Sequence, residues 1–172
     1  MKLLKLGHGT LLVALAAVSQ VSLAGAVEGK SVWTIIHGMR TVSYEEGAIE
    51  EFFGARIDQR SDNGYWTFHE GKGPSLGDGV TISKFGFMTK NDASAAPRVY
   101  MDISGKCVNL DDVRKAYPDL FTDQPVPSAH SPLVKYVSRG EGWELGFAFR
   151  VDGPRPPYCL VNVGFISKKQ GE

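Results

Sequence analysis

From Trp143 to Val151 the side chains alternate strictly. Trp143, Leu145, Phe147, Phe149 and Val151 fall on one parity, and Glu144, Gly146, Ala148 and Arg150 on the other. A segment patterned in this way buries its apolar residues only as a β-strand with one face on a core. Such a strand needs neighbouring strands beside it and a layer over its apolar face, which already excludes an all-helical chain.

Other segments supply the neighbours. Tyr65–His69, Val80–Met88 and Arg98–Ile103 read as strands, as do Leu133–Val137 and Cys159–Ile166. Turn-forming residues bound them, in Gly71–Gly79, Asn91–Pro97 and Asp152–Pro157. A further strand is expected at Val32–Ile36. Two stretches instead carry helical spacing. In the first, Ser43-Tyr44-Glu45-Glu46 has the form of a capping box, Tyr44, Ala48, Ile49, Phe52 and Phe53 make the apolar stripe, and Gly54 offers a stop. In the second, Asn109 caps, Asp111 and Asp112 suit the positive end of the helix dipole, and Leu110, Val113, Tyr117 and Leu120 form the stripe up to Pro118.

Short turns between successive strands imply antiparallel pairing rather than parallel crossovers. The expectation is therefore an α+β fold, an antiparallel sheet with two helices on one face. After the N-terminal strand the order is helix and three strands, then helix and three strands. This suggests a tandem duplication with halves at 27–105 and 106–172 of one α+β domain spanning 27–172.

Residues 1–26 have the form of a secretory signal. Lys2 and Lys5 precede an apolar run at Leu11–Val18, and small residues follow, with cleavage expected after Ala26 or Ala24. Ser19, Gln20 and Ser22 interrupt the run too early for a bilayer span, which needs about 20 apolar residues. A periplasmic or secreted product is expected. The two cysteines, Cys107 and Cys159, agree with that compartment and are expected to form a disulfide. A closed loop of about 53 residues corresponds to roughly 4 kcal/mol of chain-entropy stabilisation.

The 19 basic and 19 acidic residues balance, so there is no cationic excess with which to hold a nucleic acid. The chain has no phosphate-binding glycine loop, and its one Gly-x-Ser-x-Gly match, Gly73-Pro74-Ser75-Leu76-Gly77, falls in a loop between expected strands rather than on the strand-to-helix turn a serine nucleophile needs. Neither HxH nor HExxH occurs, and no cofactor or metal is expected. His69 with Asp58, Asp62 or Asp78 could form an acid–base group if the fold brought them together. The carboxylates at Glu45, Glu46, Glu50 and Glu51 read as a solvated helix face.

The aromatic residues carry the remaining functional signal. One parity of each strand faces the core, where Trp143 and Phe147 are expected, and the other faces solvent or a partner. On that outer parity Gly146 and Ala148, with Gly164 nearby, would leave a shallow trough. Tyr65, Trp66, His69, Tyr100 and Arg150 are candidate partner-binding residues, because aromatic and arginine side chains dominate protein-recognition hot spots. The proline-rich loops Thr122–Pro132 and Asp152–Pro157 either present a fixed shape or simply stiffen connections.

The repeated helix-then-strands order, with the aromatic strand Tyr65-Trp66-Thr67-Phe68 after the first helix, resembles the β-lactamase-inhibitor-protein and SmpA-like superfamily of small exported bacterial proteins. The resemblance covers Ser43–Ile166 and implies a protein-binding module with one sheet face free for a partner. No individual functional residue is transferred by it. The expected function is therefore a non-enzymatic inhibitor or immunity-type protein that blocks an enzyme or toxin. The alternatives are an envelope-assembly accessory subunit and a small hydrolase built on His69 and nearby carboxylates.

Overall fold

The computed structural model describes residues 29–124, 133–151 and 158–167; the signal-like segment at 1–26 and the proline-rich stretches at 125–132 and 152–157 lie outside the described residues. The chain forms helices α1 (Val32–Gly38), α2 (Glu46–Phe53) and α3 (Leu110–Ala116). Its strands are β1 (Gln59–Asp62), β2 (Trp66–Gly71), β3 (Val80–Lys90), β4 (Arg98–Gly105), β5 (Phe121–Gln124), β6 (Leu133–Gly140), β7 (Trp143–Arg150) and β8 (Cys159–Ser167). All eight strands join one antiparallel sheet in the order β1-β2-β3-β4-β8-β7-β6-β5. The α+β expectation holds.

Each half is a four-stranded meander, and the halves meet where the last strand of one pairs with the last strand of the other. One helix covers each meander in the same manner. In α2 the fully buried pair is Ile49 and Phe53, and the Phe53 ring stacks on Phe85 of β3 at 4.6 Å. In α3 Val113 is fully buried, and Tyr117 just beyond its end meets Phe147 of β7 at 5.1 Å. The i, i+4 spacing puts each pair on one helix face, directed at the sheet. Val99, Met101, Val163, Leu145 and Phe149 complete the buried layer beneath the helices.

Three expectations are corrected. Val32–Ile36 is helix α1, not a strand: the Ser31 hydroxyl accepts from Thr34 N at 3.3 Å as an N-cap. Val32, Ile35, Ile36 and Met39 are all buried, at i, i+3, i+4 and i+7. The β-branched content of that short window hid a helical period running just past it. Second, Ser43 does not cap α2; Glu45 occupies the N-cap without a side-chain bond, and Glu46 opens the helix. Third, each half holds four strands rather than three, the additional ones being β1 and β5. Both are four-residue edge strands, and all of β1 is exposed. A strand with no buried face leaves no alternation to read.

Helix α3 is capped as expected. Asp112 N donates to Asn109 Oδ1 at 2.9 Å and Asn109 N to Asp112 Oδ2 at 3.2 Å, a reciprocal pair that satisfies two otherwise orphaned amides. Cys107 and Cys159 are disulfide-bonded, with Cα atoms 5.1 Å apart, so the entrance to α3 is tied to the first residue of β8. The hydrogen bond from Leu160 N to Val108 O, 2.9 Å, reinforces that junction. Of the two expected core aromatics on β7, Phe147 is fully buried. Trp143 packs at the core margin beneath Arg40, whose guanidinium carbon lies 4.0 Å from the ring centre.

Candidate functional site

On the face opposite the helices, one row of residues crosses seven of the eight strands. From strand to strand the register aligns Glu70, Gly86, Tyr100, Gly164, Gly146, Val137 and Phe121. Beside Tyr100 the row holds two consecutive glycines, so the surface drops into a trough with a cavity volume of about 340 Å³. Every lining residue belongs to a strand. Gly146, Ala148 and Gly164 are all among them, where the parity of β7 places them.

Packing does not demand these two glycines. A Cβ built at Gly164 meets nothing within 4 Å, and one at Gly146 meets the flexible end of Lys135 at 3.2 Å and, in ordinary van der Waals contact, the Gly164 carbonyl at 3.9 Å. Glycine inside a strand costs about 0.5–1 kcal/mol relative to alanine. The fold gains no compensating close approach at either position. What their absence of side chains provides is space beside Tyr100.

A polar chain fixes one wall of that space. The Tyr100 hydroxyl donates to Glu70, and Lys84 Nζ lies 3.1 Å from Glu70 Oε1 and 3.5 Å from Asp102 Oδ2. Asn162 Nδ2 donates to Asp102 Oδ1 at 2.7 Å, closing the chain across the β4–β8 junction. Burial, and then the bond to Glu70, push the Tyr100 phenol far above its ordinary value. Burial also raises the Glu70 carboxyl, but the hydrogen bonds from Tyr100 and Lys84 and the Lys84 charge outweigh it and hold Glu70 below its ordinary value. For Lys84 burial acts downward and is outweighed by Glu70 and Asp102, so its ammonium is held above the ordinary value. All three groups are driven away from neutrality. The same bonds hold the Tyr100, Glu70 and Lys84 side chains in fixed positions along one wall of the trough.

The candidate residues from sequence separate into distinct places. Tyr100 lines the trough. Trp66 shares the open face and carries the Arg98 guanidinium, 4.9 Å above its ring. Tyr65 stands in the β1–β2 turn, 73% exposed. Arg150 lines a second hollow beside the disulfide, with Asp102, Cys107 and Cys159.

His69 is on the other face of the sheet, because it is one residue out of phase with Phe68 and Glu70. It stacks on Phe87 at 4.4 Å, and its Nδ1 lies 3.4 Å from Glu46 of α2. The carboxylate that reaches it is therefore Glu46. Asp62 is engaged by Thr67 and Asn91, and Asp78 receives the Val32 amide at 2.7 Å.

Sequence reasoning missed Phe68, Glu70, Lys84, Met88, Arg98 and Asn162, all of which line the trough. Parity alone could have assigned them to the outer face, but not to one another. Among the described residues no three His, Cys, Asp or Glu side chains are grouped to hold a metal ion. No helix among them is long and apolar enough to cross a membrane. Neither a protein family, nor a curated protein, nor a solved structure gives a significant match to the chain.

Proposed function

We propose that this chain is an exported protein-binding module, an inhibitor or immunity-type protein that blocks an enzyme or toxin by docking the open face of its sheet against it. The observation that carries this reading is the trough itself: a tyrosine locked by Glu70 beside two glycines that packing does not require. A preordered aromatic next to a recess is the form a recognition hot spot takes, since little side-chain entropy remains to be lost on binding. The disulfide between Cys107 and Cys159 supports an oxidising compartment. The tandem of helix-covered, four-stranded meanders supports the resemblance to the β-lactamase-inhibitor-protein and SmpA-like proteins, which likewise implies a partner on the sheet.

The test uses the processed chain as bait in the periplasmic or secreted fraction of its source. Wild type is expected to retain one soluble enzyme or toxin and to abolish its activity, and Gly164→Leu, which fills the trough, is expected to release it. Retention of outer-membrane assembly proteins alone would replace inhibition by an accessory role. Unaided turnover of a small molecule by the chain would end the proposal.

A further inference from the structure

We propose that the Arg98 end of the trough receives a carboxylate, the side chain of an aspartate or glutamate that the protein partner presents beside an apolar residue. This rests on the reading of the open face as a docking surface and specifies what it recognises. The acids lining the trough are already matched: Glu70 by Tyr100 and Lys84, and Glu144 by Arg139 at 2.8 Å. Lys135 has Asp123 at 3.6 Å. Arg98 differs from all of these. Among the described residues its side chain makes no ion pair or hydrogen bond, its Nε is shut off from water, and its one partner is the Trp66 ring.

A guanidinium left without a counter-ion at a partly buried site is an anion receptor, and its planar fork of donors matches a carboxylate. Of the three cations that line the trough, Lys84 and Lys135 each face a carboxylate, which leaves Arg98 as the one without an acidic partner among the described residues. The neighbours of Arg98 decide what kind of carboxylate fits. In register it lies between Met88 on β3 and Ile166 on β8, with Phe68 next beyond Met88. A free small anion would leave those three side chains facing water. A carboxylate carried beside an apolar group covers them while it pairs with Arg98, and a protein segment lying along the trough supplies both.

The probe is the blocked dipeptide N-acetyl-phenylalanyl-glutamate amide, titrated into the 15N-labelled chain while the backbone signals of Gly146, Gly164 and Arg98 are followed. Saturable shifts confined to the trough are expected. The glutamine analogue, and the Arg98→Gln variant with the original probe, should each bind about tenfold more weakly, the loss of one charge-assisted contact. Arg98→Lys, which keeps the charge, should recover part of that loss. Its spectrum and that of Arg98→Gln should otherwise match wild type, showing that the fold is intact.

Equal binding of the glutamine analogue, or no saturable shift, would overturn the carboxylate assignment. Tighter binding of free 3-phenylpropionate than of the dipeptide would overturn the assignment to a protein partner. Partner capture by wild type and its loss in Gly164→Leu are read separately, so the docking face can stand while the carboxylate falls.

Discussion

At the scale of single residues, Gly164 and Tyr100 state the case most sharply. A strand glycine at which an added Cβ would meet only open space is a stability cost that packing does not explain. Gly164→Ala is expected to stabilise the chain by about 0.5–1 kcal/mol in a denaturant titration. Gly164→Leu starts from a Cβ in open space and should still give a folded chain, checked by its far-ultraviolet spectrum, and yet lose the partner.

Tyr100, Glu70 and Lys84 should also shape the response to pH. Glu70 is held below its ordinary value of 4.5, so the stability it confers is present above that value and is lost as pH falls through the lowered one. Tyr100 and Lys84 are raised above their ordinary 10.0 and 10.5, so their contribution is complete below those values and is lost as pH rises beyond them. Unfolding midpoints measured against pH should therefore decline at both ends. Glu70→Gln should flatten the part of the acid decline that comes from this site, and it should also weaken the alkaline one by removing a partner from Lys84 and Tyr100.

Among the elements, α3 shows how much a short helix owes to its ends. It has seven residues, too few for stability from propensity alone, and the Asn109–Asp112 pair holds its first turn. Asn109→Ala is expected to cost about 1 kcal/mol, seen as a lower unfolding midpoint. Faster amide exchange should be confined to Leu110–Ala116 and the adjoining start of β8. This helix was legible because an N-cap residue, a first turn of acids and an i, i+4 stripe all agree. Helix α1 was not, although Ser31 and the spacing of Val32, Ile35, Ile36 and Met39 were present. Its β-branched residues also satisfy a strand, and a window of five cannot separate a period of two from one of 3.6. The edge strands β1 and β5 were hidden for a different reason: their order comes from one neighbouring strand, and their own side chains do not record it.

For the whole molecule, the disulfide joins the entrance of α3 to the central seam of the sheet, and its sequence separation of 52 residues makes it a long-range constraint. Replacing both cysteines by serine is expected to lower unfolding free energy by up to roughly 4 kcal/mol, as the chain-entropy relation gives for a loop of this length. The far-ultraviolet spectrum of the folded variant should keep its sheet signature, because the buried layer beneath the helices does not depend on the cross-link. The cross-link predicts that the protein carries no alkylatable thiol until it is reduced, which mass spectrometry after alkylation would check.

Period, caps and the cysteine pair by themselves determined the α+β class, the strand parities, the start of α3 and the presence of small residues on the outer face of β7. These are local signals, each contained in a few neighbouring residues or, for the cysteines, in their number. Only the tertiary structure decided that β4 pairs with β8. That single contact sets Tyr100 beside Gly164 and Arg98 beside Ile166, more than sixty residues apart along the chain. It is selected by burial of the whole apolar layer under three helices at once, a collective energy that no short stretch of sequence displays. The trough is a consequence of that register.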